Sequence, residues 1–277
     1  MKQARRPLHD RAFPLLAACM LLAFGDAFAD AAEPAWIDQR QVGPFAVRSQ
    51  FSLVGQESLL KELIDLEQEL RRVLALRPCT DVLTVNLYAA ESGYRAMLAE
   101  QFPGVPFRRA LYVQRGGSAQ VYAYRHEELA VDLRHECTHA LLHADLAMLP
   151  LWLDEGLAEY FEMPAASRAF GNPHAESLKM RMRLRMVRSL DSLEKEHELA
   201  GMTARDYQYA WLWTHFLLHG PKPATEQLWA FLSSVRRGEP PGDLSDRLAG
   251  VFASPSASVV RHYWGWQKLA AASSARR

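Results

Sequence analysis

Two neighbouring stretches of the sequence constrain the fold of this chain more than any other feature. The first is RHECTHALLH, residues 134–143, and the second is LPLWLDEGLAEYFE, residues 149–162. Both have the residue spacing of helices, and Pro150 marks a turn between them. Because a short connection makes consecutive helices antiparallel neighbours, polar residues of the first helix are expected to face polar residues of the second.

The first stretch carries two histidines four residues apart, with a glutamate beside the first. On an α-helix, residues i and i+4 lie on one face, so His135 and His139 can direct imidazole nitrogens at one metal ion. Glu136 lies about 100° further round the helix axis. It is therefore expected to act on a metal-activated water as a general base and not to bind the metal. The HExxH spacing thus predicts a catalytic zinc site.

A catalytic zinc ion needs a third protein ligand and one open position. Glu155, in the first turns of the second predicted helix, can face back to the two histidines. The adjacent Gly156 would let the backbones of these two predicted helices approach closely. Glu159 follows one turn later, where it can accept the other ring N–H of a ligand histidine. The alternative is an acidic surface stripe. His143 continues the histidine stripe and, as a fourth ligand, would make the site structural.

Two other stretches repeat part of this pattern but lack an essential residue. HEELA, residues 126–130, ends in Ala130 where the second histidine would stand. HFLLH, residues 215–219, has Phe216 in place of the glutamate. We therefore interpret the histidines of both stretches as surface residues or as hydrogen-bonded core residues.

Taken together, HECTH and LWLDEGLAEYFE resemble the gluzincin metallopeptidases. Their thermolysin and aminopeptidase-N branches combine HExxH with a downstream glutamate. The closest resemblance is to bacterial peptidase-MA-like domains of unproven function, and it extends over about residues 40–265. It implies a zincin-like α+β fold and a peptidase that uses zinc. The residues it implies are the ligands His135, His139 and Glu155, the base Glu136 and the second-sphere acceptor Glu159.

The resemblance also implies a tyrosine that stabilises the oxyanion from the start of a later helix. DYQYAWLWTHFLL, residues 206–218, resembles that helix start, with Tyr207 in the matching position and Tyr209 as the alternative. A phenol hydroxyl is a suitable donor to a developing negative charge, although a tyrosine that only packs at a helix start is the other interpretation.

One departure from the family concerns the predicted hairpin RGGSAQVYAY, residues 115–124. Aminopeptidases of this branch carry a Gly-x-Met-Glu-Asn stretch there, which anchors the free amine of the substrate. Its absence argues against exopeptidase activity of that kind. The strand at 119–125 is still expected to be able to bind an extended peptide by backbone pairing.

The remaining sequence predicts an α+β lobe with a small mixed sheet, followed by a mainly helical lobe. Strands are predicted at 45–51, 81–89, 109–114 and 119–125, and helices at 57–76 and 92–102, the latter capped by Ser92. Further helices are predicted at 128–145, 151–162, 174–188, 204–219, 224–236 and 256–271. We expect a domain at 30–147, ending in the HExxH helix, and one at 148–277, which carries the third ligand. The zinc site would lie at their junction.

Residues 1–29 have the pattern of a secretory signal peptide. A basic start precedes an apolar run of 13 residues, and small residues follow at Ala27 and Ala29. The run is too short to span a bilayer, so we expect a periplasmic or extracellular protein without a stable membrane span after cleavage. The alternative is a lipoprotein, because LAAC at 16–19 resembles a cleavage box with Cys19 as the lipidated residue.

Composition narrows the classes of partner. The 277 residues include 32 basic and 32 acidic side chains, so no net charge favours nucleic acid. We expect a peptide or protein substrate, and we expect Cys79 and Cys137 to be buried free thiols. Two other functions stay open: a non-catalytic envelope module that binds a peptide or partner, and a structural zinc site. Glu136 argues against the binding module, which needs no base at that position.

Overall fold

The computed structural model describes residues 20–21 and 35–274. The first half of this part of the chain contains a mixed β-sheet. The strands are β1 (Met20–Leu21), β2 (Asp38–Val42), β3 (Phe45–Ser49), β4 (Leu83–Tyr88), β5 (Ala110–Arg115) and β6 (Ser118–Tyr124). Their order across the sheet is β1-β5-β6-β4-β3-β2. Strands β3, β4 and β6 are parallel, whereas β2 and β5 run antiparallel to their neighbours β3 and β6. β1 contributes only two residues, parallel to β5.

Two helices pack on opposite faces of this sheet. α1 (Glu57–Leu74) buries six leucines at helical spacing, and these join the same cluster as Val85 and Val121 of the sheet. α2 (Glu91–Gln101) buries Tyr94 against the other face, together with the aromatic side chains of β4 and β6. The sheet is therefore covered on both sides, and the predicted α+β class is confirmed.

The hairpin between β5 and β6 turns at Gly116 and Gly117, whose φ angles are 54° and 81°. Glycine adopts these positive angles without steric cost, which a two-residue hairpin turn requires. The hairpin is thus as predicted, but its second strand is internal. β6 pairs with β4 along one edge and with β5 along the other. The expectation that strand 119–125 pairs with an extended peptide is therefore wrong, because its backbone groups are already used.

Helices make up the rest of the described chain. They are α3 (Leu129–Asp145), α4 (Leu151–Phe161), α5 (Ala165–Arg168), α6 (Pro173–Arg183), α7 (Leu190–Glu194), α8 (Ala204–His219), α9 (Lys222–Arg236), α10 (Leu244–Val251) and α11 (Pro255–Ser274), with a 3₁₀ turn at Leu199–Gly201. α3 packs on β5 and β6, α4 packs on α3, and α8 packs on α4. One hydrophobic core continues from the sheet through these helices.

Gly156 sets the distance between α4 and α8. A Cβ atom at this position would lie 2.4 Å from Thr214 Oγ1 and 2.6 Å from the carbonyl oxygen of Ala210. Any side chain here would therefore push α8 away. The sequence prediction placed this close approach between the HExxH helix α3 and α4, which is wrong, because the atoms nearest to Gly156 belong to α8.

Several local features differ from the sequence prediction. The helix expected at 174–188 ends at Arg183, and Arg185 has a positive φ of 54°. α2 begins at Glu91 after Ala90, so Ser92 lies inside the helix and does not cap it. Six described elements were not predicted: β1, β2, α5, α7, α10 and the 3₁₀ turn at Leu199–Gly201. Each is short, and β2 has the polar sequence DQRQV, in which only Val42 is buried.

Three further expectations concern the ends and the cysteines. The predicted signal peptide, with Cys19, lies outside the described residues apart from β1. Within the described part of the chain, none of the helices combines the length and apolarity needed to cross a membrane. Cys137 is a buried free thiol as expected, and Cys79 is also free but only partly buried.

Candidate metal centre

The turn after α3 brings α4 back along it and places three potential ligands together. His135 Nε2 and His139 Nε2 lie 3.3 Å apart. Glu155 Oε2 is 3.7 Å from the first nitrogen and 3.9 Å from the second. Ligand atoms bound tetrahedrally to one zinc ion at its usual bond lengths are about 3.4 Å apart. The three predicted ligands are thus brought to the spacing that one ion requires.

The bonding of Glu155 supports this fit. The side chain is 0% exposed, and neither carboxylate oxygen has a hydrogen-bond partner among the described residues. Burial raises the pKa of Glu155 above its ordinary value. A buried carboxylate without a hydrogen bond is costly unless it binds a cation. An ion held between Glu155 and the two imidazole nitrogens would remove that cost.

The outward-facing nitrogens of both histidines are held by carboxylates of α4 and its end. His135 Nδ1 lies 3.0 Å from Glu162 Oε2, and His139 Nδ1 lies 3.0 Å from Asp154 Oδ1. The first contact is a hydrogen bond that orients the ring of His135, and the second is an ion-pair contact without hydrogen-bond geometry. Burial alone would lower the pKa of each histidine, but the surrounding carboxylates raise it above the ordinary value.

The acceptors behind the two histidines correct the sequence prediction, which placed Glu159 behind one of them. Because α4 runs antiparallel to α3, the earlier histidine meets the later carboxylate, so His135 meets Glu162 and His139 meets Asp154. Glu159 Oε2 instead lies 2.7 Å from His174 Nε2 of α6. Burial raises the pKa of Glu159, but His174 outweighs this effect and lowers it. Burial and the charge of Glu159 raise the pKa of Glu162 to about 7.

His143 lies outside the group of His135, His139 and Glu155, but with His139 and Asp154 it forms a second group that could hold a metal ion. Its Nε2 lies 3.0 Å from Asp154 Oδ2, so one carboxylate joins His143 and His139. Burial acts to raise the pKa of Asp154, but the two histidines hold it well below its ordinary value. The ring of Tyr112 stacks on His143 and His139, with centroid distances of 5.9 Å and 6.3 Å. Sequence spacing offered no signal for Asp154 or Tyr112 in these roles.

Glu136 lies beside the ligand set without belonging to it. Its side chain is buried, and Oε2 accepts a hydrogen bond of 2.8 Å from the backbone N–H of Tyr112 in β5. The helix thus turns Glu136 towards the sheet while its neighbour His135 faces α4. This is the separation of roles that the HExxH spacing predicts.

Tyr207 lies at the start of α8, where Thr203 and Asp206 form a capping box. The ring is buried, and burial with the charges of Glu155 and Glu159 raises its pKa well above the ordinary value. Tyr207 therefore keeps its hydroxyl proton. The alternative, Tyr209, donates its hydroxyl to the carbonyl oxygen of Met186 at 2.7 Å, so its proton is already used within the fold.

No protein-family model matches the chain, and no curated protein matches it. The arrangement of these side chains therefore carries every functional inference below.

Proposed function

We propose that this protein is an exported zinc metallopeptidase of gluzincin type, with the metal at the junction of the sheet-bearing and helical parts. The observation that carries the proposal is the buried Glu155 carboxylate. It has no hydrogen-bond partner in the described structure and faces two histidine Nε2 atoms within 3.9 Å. Zinc held there would supply a Lewis acid for a carbonyl group and would lower the pKa of a water to about 7.

Glu136 is proposed as the general base. The Glu136 carboxylate is adjacent in sequence to His135 but does not belong to the group of His135, His139 and Glu155. One of its oxygens accepts a hydrogen bond from the Tyr112 N–H. A carboxylate in this position accepts a proton from the attacking water and delivers it to the leaving amine. Such transfers typically contribute about 10²- to 10⁴-fold in rate.

Tyr207 is proposed to stabilise the negative charge that develops on the carbonyl oxygen. A phenol does this only while protonated, and the raised pKa of Tyr207 keeps it so. The substrate would be a peptide or protein. β5 contains Tyr112, whose N–H binds Glu136. Among the described strands, only the two-residue β1 pairs with the outer edge of β5. An extended peptide could pair there.

The test begins with the zinc content of the purified protein, measured by elemental mass spectrometry after dialysis against a weak chelator. We expect about one zinc per chain and cleavage of a mixed peptide library. Glu136→Gln should retain zinc while its cleavage rate falls by about 10²- to 10⁴-fold. If this variant cleaves as fast as the wild type, the peptidase proposal is wrong. A folded protein that retains no zinc would also overturn it.

A zinc-loaded protein with no cleavage by either form would favour the non-catalytic binding module. Export is tested separately by N-terminal sequencing of the protein recovered from its native host. A start at Asp30 would support the signal peptide, whereas lipid attached at Cys19 would support the lipoprotein alternative.

A further inference from the structure

The helix α6 carries apolar side chains on two opposite faces, and the core uses only one of them. Its buried side chains are Ala175, Leu178 and Met182. With about 100° between successive residues, Met180 and Leu184 lie opposite to that buried face. They are 62% and 60% exposed. Packing within the described chain therefore does not account for the second apolar face.

The end of α6 adds a third exposed apolar side chain. The backbone N–H of Met186 binds the carbonyl oxygen of Arg181 at 2.8 Å, and that of Arg185 binds the carbonyl oxygen of Met182 at 3.2 Å. With Arg185 in the left-handed region, at a φ of 54°, these two bonds form a Schellman helix ending. This ending folds the chain back on the last turn of α6, where Met186 is 54% exposed.

Arginines border this apolar group. Arg181 and Arg183 lie one on each side of the stripe formed by Met180 and Leu184, by the same spacing of about 100° per residue. Arg185 follows in the turn. Arg183 and Arg185 are exposed, and Arg181 is half-buried. None of the three arginines forms an ion pair with another residue that the structure describes, so their charges are available to a partner.

The charges of the chain are also separated. Residues 178–188 contain five basic residues and no acidic residue, whereas the whole chain has 32 of each. The remainder of the chain therefore has five more acidic than basic residues. A negatively charged surface would attract the end of α6 and repel the remainder, so it would orient the protein with this end towards it.

Apolar side chains set between arginines suit the boundary between the headgroups and the acyl chains of a bilayer. Methionine and leucine side chains that are more than half exposed protrude far enough to insert there, and arginines bind the lipid phosphates. We propose that the end of α6, residues 179–186, binds the surface of a bilayer that contains anionic phospholipids. This inference is independent of the proposed peptidase function.

Bilayer binding would also hold the candidate metal centre close to the lipid surface. His174, in the first turn of α6, contacts Glu159 at 2.7 Å. α6 has 11 residues, so it is about 16 Å long. The first turn of α6 thus lies beside the centre, and its last turn carries the lipid-binding side chains.

The test measures sedimentation of the purified full-length protein with vesicles of phosphatidylcholine, with and without about 30% phosphatidylglycerol. Each basic residue near an anionic bilayer strengthens binding by about 5-fold, so three arginines should give the anionic vesicles an advantage of about 100-fold. This advantage should disappear at about 1 M salt, where screening shortens charge interactions to about 3 Å. Equal binding to both kinds of vesicle would overturn the proposal.

Two triple variants separate charge from insertion. One replaces the three arginines: Arg181→Gln, Arg183→Gln and Arg185→Gln. It should weaken binding to the anionic vesicles by about 100-fold. The other replaces the three apolar residues: Met180→Gln, Leu184→Gln and Met186→Gln. It should weaken binding by about 10-fold or more, because polar side chains do not insert.

A matched control removes three cations from exposed positions of α1, α9 and α11. Its substitutions are Arg72→Gln, Lys222→Gln and Arg261→Gln. The control should weaken binding by less than about 5-fold, since charges away from the bilayer are screened. Melting temperatures check that each variant is folded. If one of them does not fold, the comparison of the two vesicle compositions with the wild type still decides.

The remaining outcomes each overturn the proposal. If either α6 variant is folded and binds the anionic vesicles as tightly as the wild type, the end of α6 is not the lipid-binding surface. If neither kind of vesicle is bound but polyglutamate is, the arginines recognise an acidic protein and not a bilayer. The peptidase proposal is unaffected in each case, because zinc retention and cleavage of the peptide library are measured without lipid.

Discussion

Among the described histidines with i, i+4 spacing, the pair His135–His139 on α3 and the pair His215–His219 on α8 have opposite environments. On α3, the Nδ1 atoms of His135 and His139 face carboxylates, and their Nε2 atoms converge on Glu155. On α8, His215 Nδ1 lies 2.9 Å from His262 Nε2, and His215 Nε2 lies 3.1 Å from the carbonyl oxygen of Ala169. His219 Nε2 lies 2.6 Å from the hydroxyl of Tyr160.

The difference lies in the partner groups and not in the spacing. A carbonyl oxygen can only accept, so His215 Nε2 carries the hydrogen and Nδ1 accepts from His262. Burial without a nearby carboxylate lowers the pKa of His215, whereas carboxylates raise the pKa values of the α3 pair. α4 serves both pairs, with Glu155 for one and Tyr160 for the other. Among the described residues, the α3 pair is joined by the Glu155 carboxylate into a group that could hold a metal ion, whereas the α8 pair has no such carboxylate.

The largest expected effect is the loss of zinc affinity when the α3 pair, like the α8 pair, has no carboxylate facing its Nε2 atoms. Glu155→Gln removes the carboxylate charge, so zinc affinity should fall by more than the roughly 10- to 100-fold of a second-sphere change. His219→Asn, on α8, should bind zinc like the wild type. Free zinc at 1,000 times its Kd should stabilise the wild type and His219→Asn by about 4 kcal/mol in urea unfolding. Equal stabilisation of Glu155→Gln would contradict the proposed ligand set.

The second-largest effect is the pH dependence of folding stability that arises from the uncharged histidines at α8. These are His215 and His219 of α8 and His262 of α11, which contacts His215. Burial lowers the pKa of His262 from 6.5 to about 4. The unfolded chain therefore binds more protons between these values, and folding stability is lost as the pH falls from about 6.5 to about 4. For this partly exposed ring we expect about 1–3 kcal/mol. His262→Gln should reduce the slope of the urea-unfolding stability against pH over that window, with the rest of the slope due to His215 and His219, whose pKa values burial also lowers. An unchanged slope would contradict a neutral His262.

These contrasts also show how far the sequence alone leads. The i, i+4 spacing and the short turn at Pro150 were sufficient to predict that His135, His139 and Glu155 lie together, because both signals are local. The helix positions around them followed from apolar periodicity. The burial of Arg108, whose Nη1 has no hydrogen-bond partner within the described residues, could not be predicted. A single sequence does not distinguish a buried arginine from a surface arginine.

Second-sphere contacts depend on how two helices slide past one another, and a single sequence does not give that register. Glu159 was expected behind a ligand histidine because it lies one turn after Glu155, but antiparallel packing brings Glu162 to His135 and Asp154 to His139 instead. Short polar elements such as β2 were missed for a related reason. β2 is a strand because it pairs with β3, and its own sequence shows no apolar periodicity.

The third prediction tests this corrected register. Glu162→Gln and Asp154→Asn should each reduce zinc affinity by about 10- to 100-fold, because each carboxylate orients a ligand histidine and raises its basicity. Glu159→Gln, whose carboxylate contacts His174, should have a smaller effect. Competition against a chromogenic chelator at fixed pH measures all three variants. The register would be wrong if Glu159→Gln weakened zinc binding more than Glu162→Gln.

The smallest effect concerns the link between α4 and the second histidine pair. Tyr160→Phe removes the hydroxyl that contacts His219 Nε2, and a buried neutral hydrogen bond of this kind stabilises a fold by about 1 kcal/mol. Zinc affinity should be unchanged, although Tyr160 is adjacent to Glu159 and only five residues from Glu155. Urea unfolding and chelator competition on the same preparation measure the two quantities. A loss of zinc affinity would mean that the two histidine pairs are coupled through α4, and the contrast between them would then be one of degree.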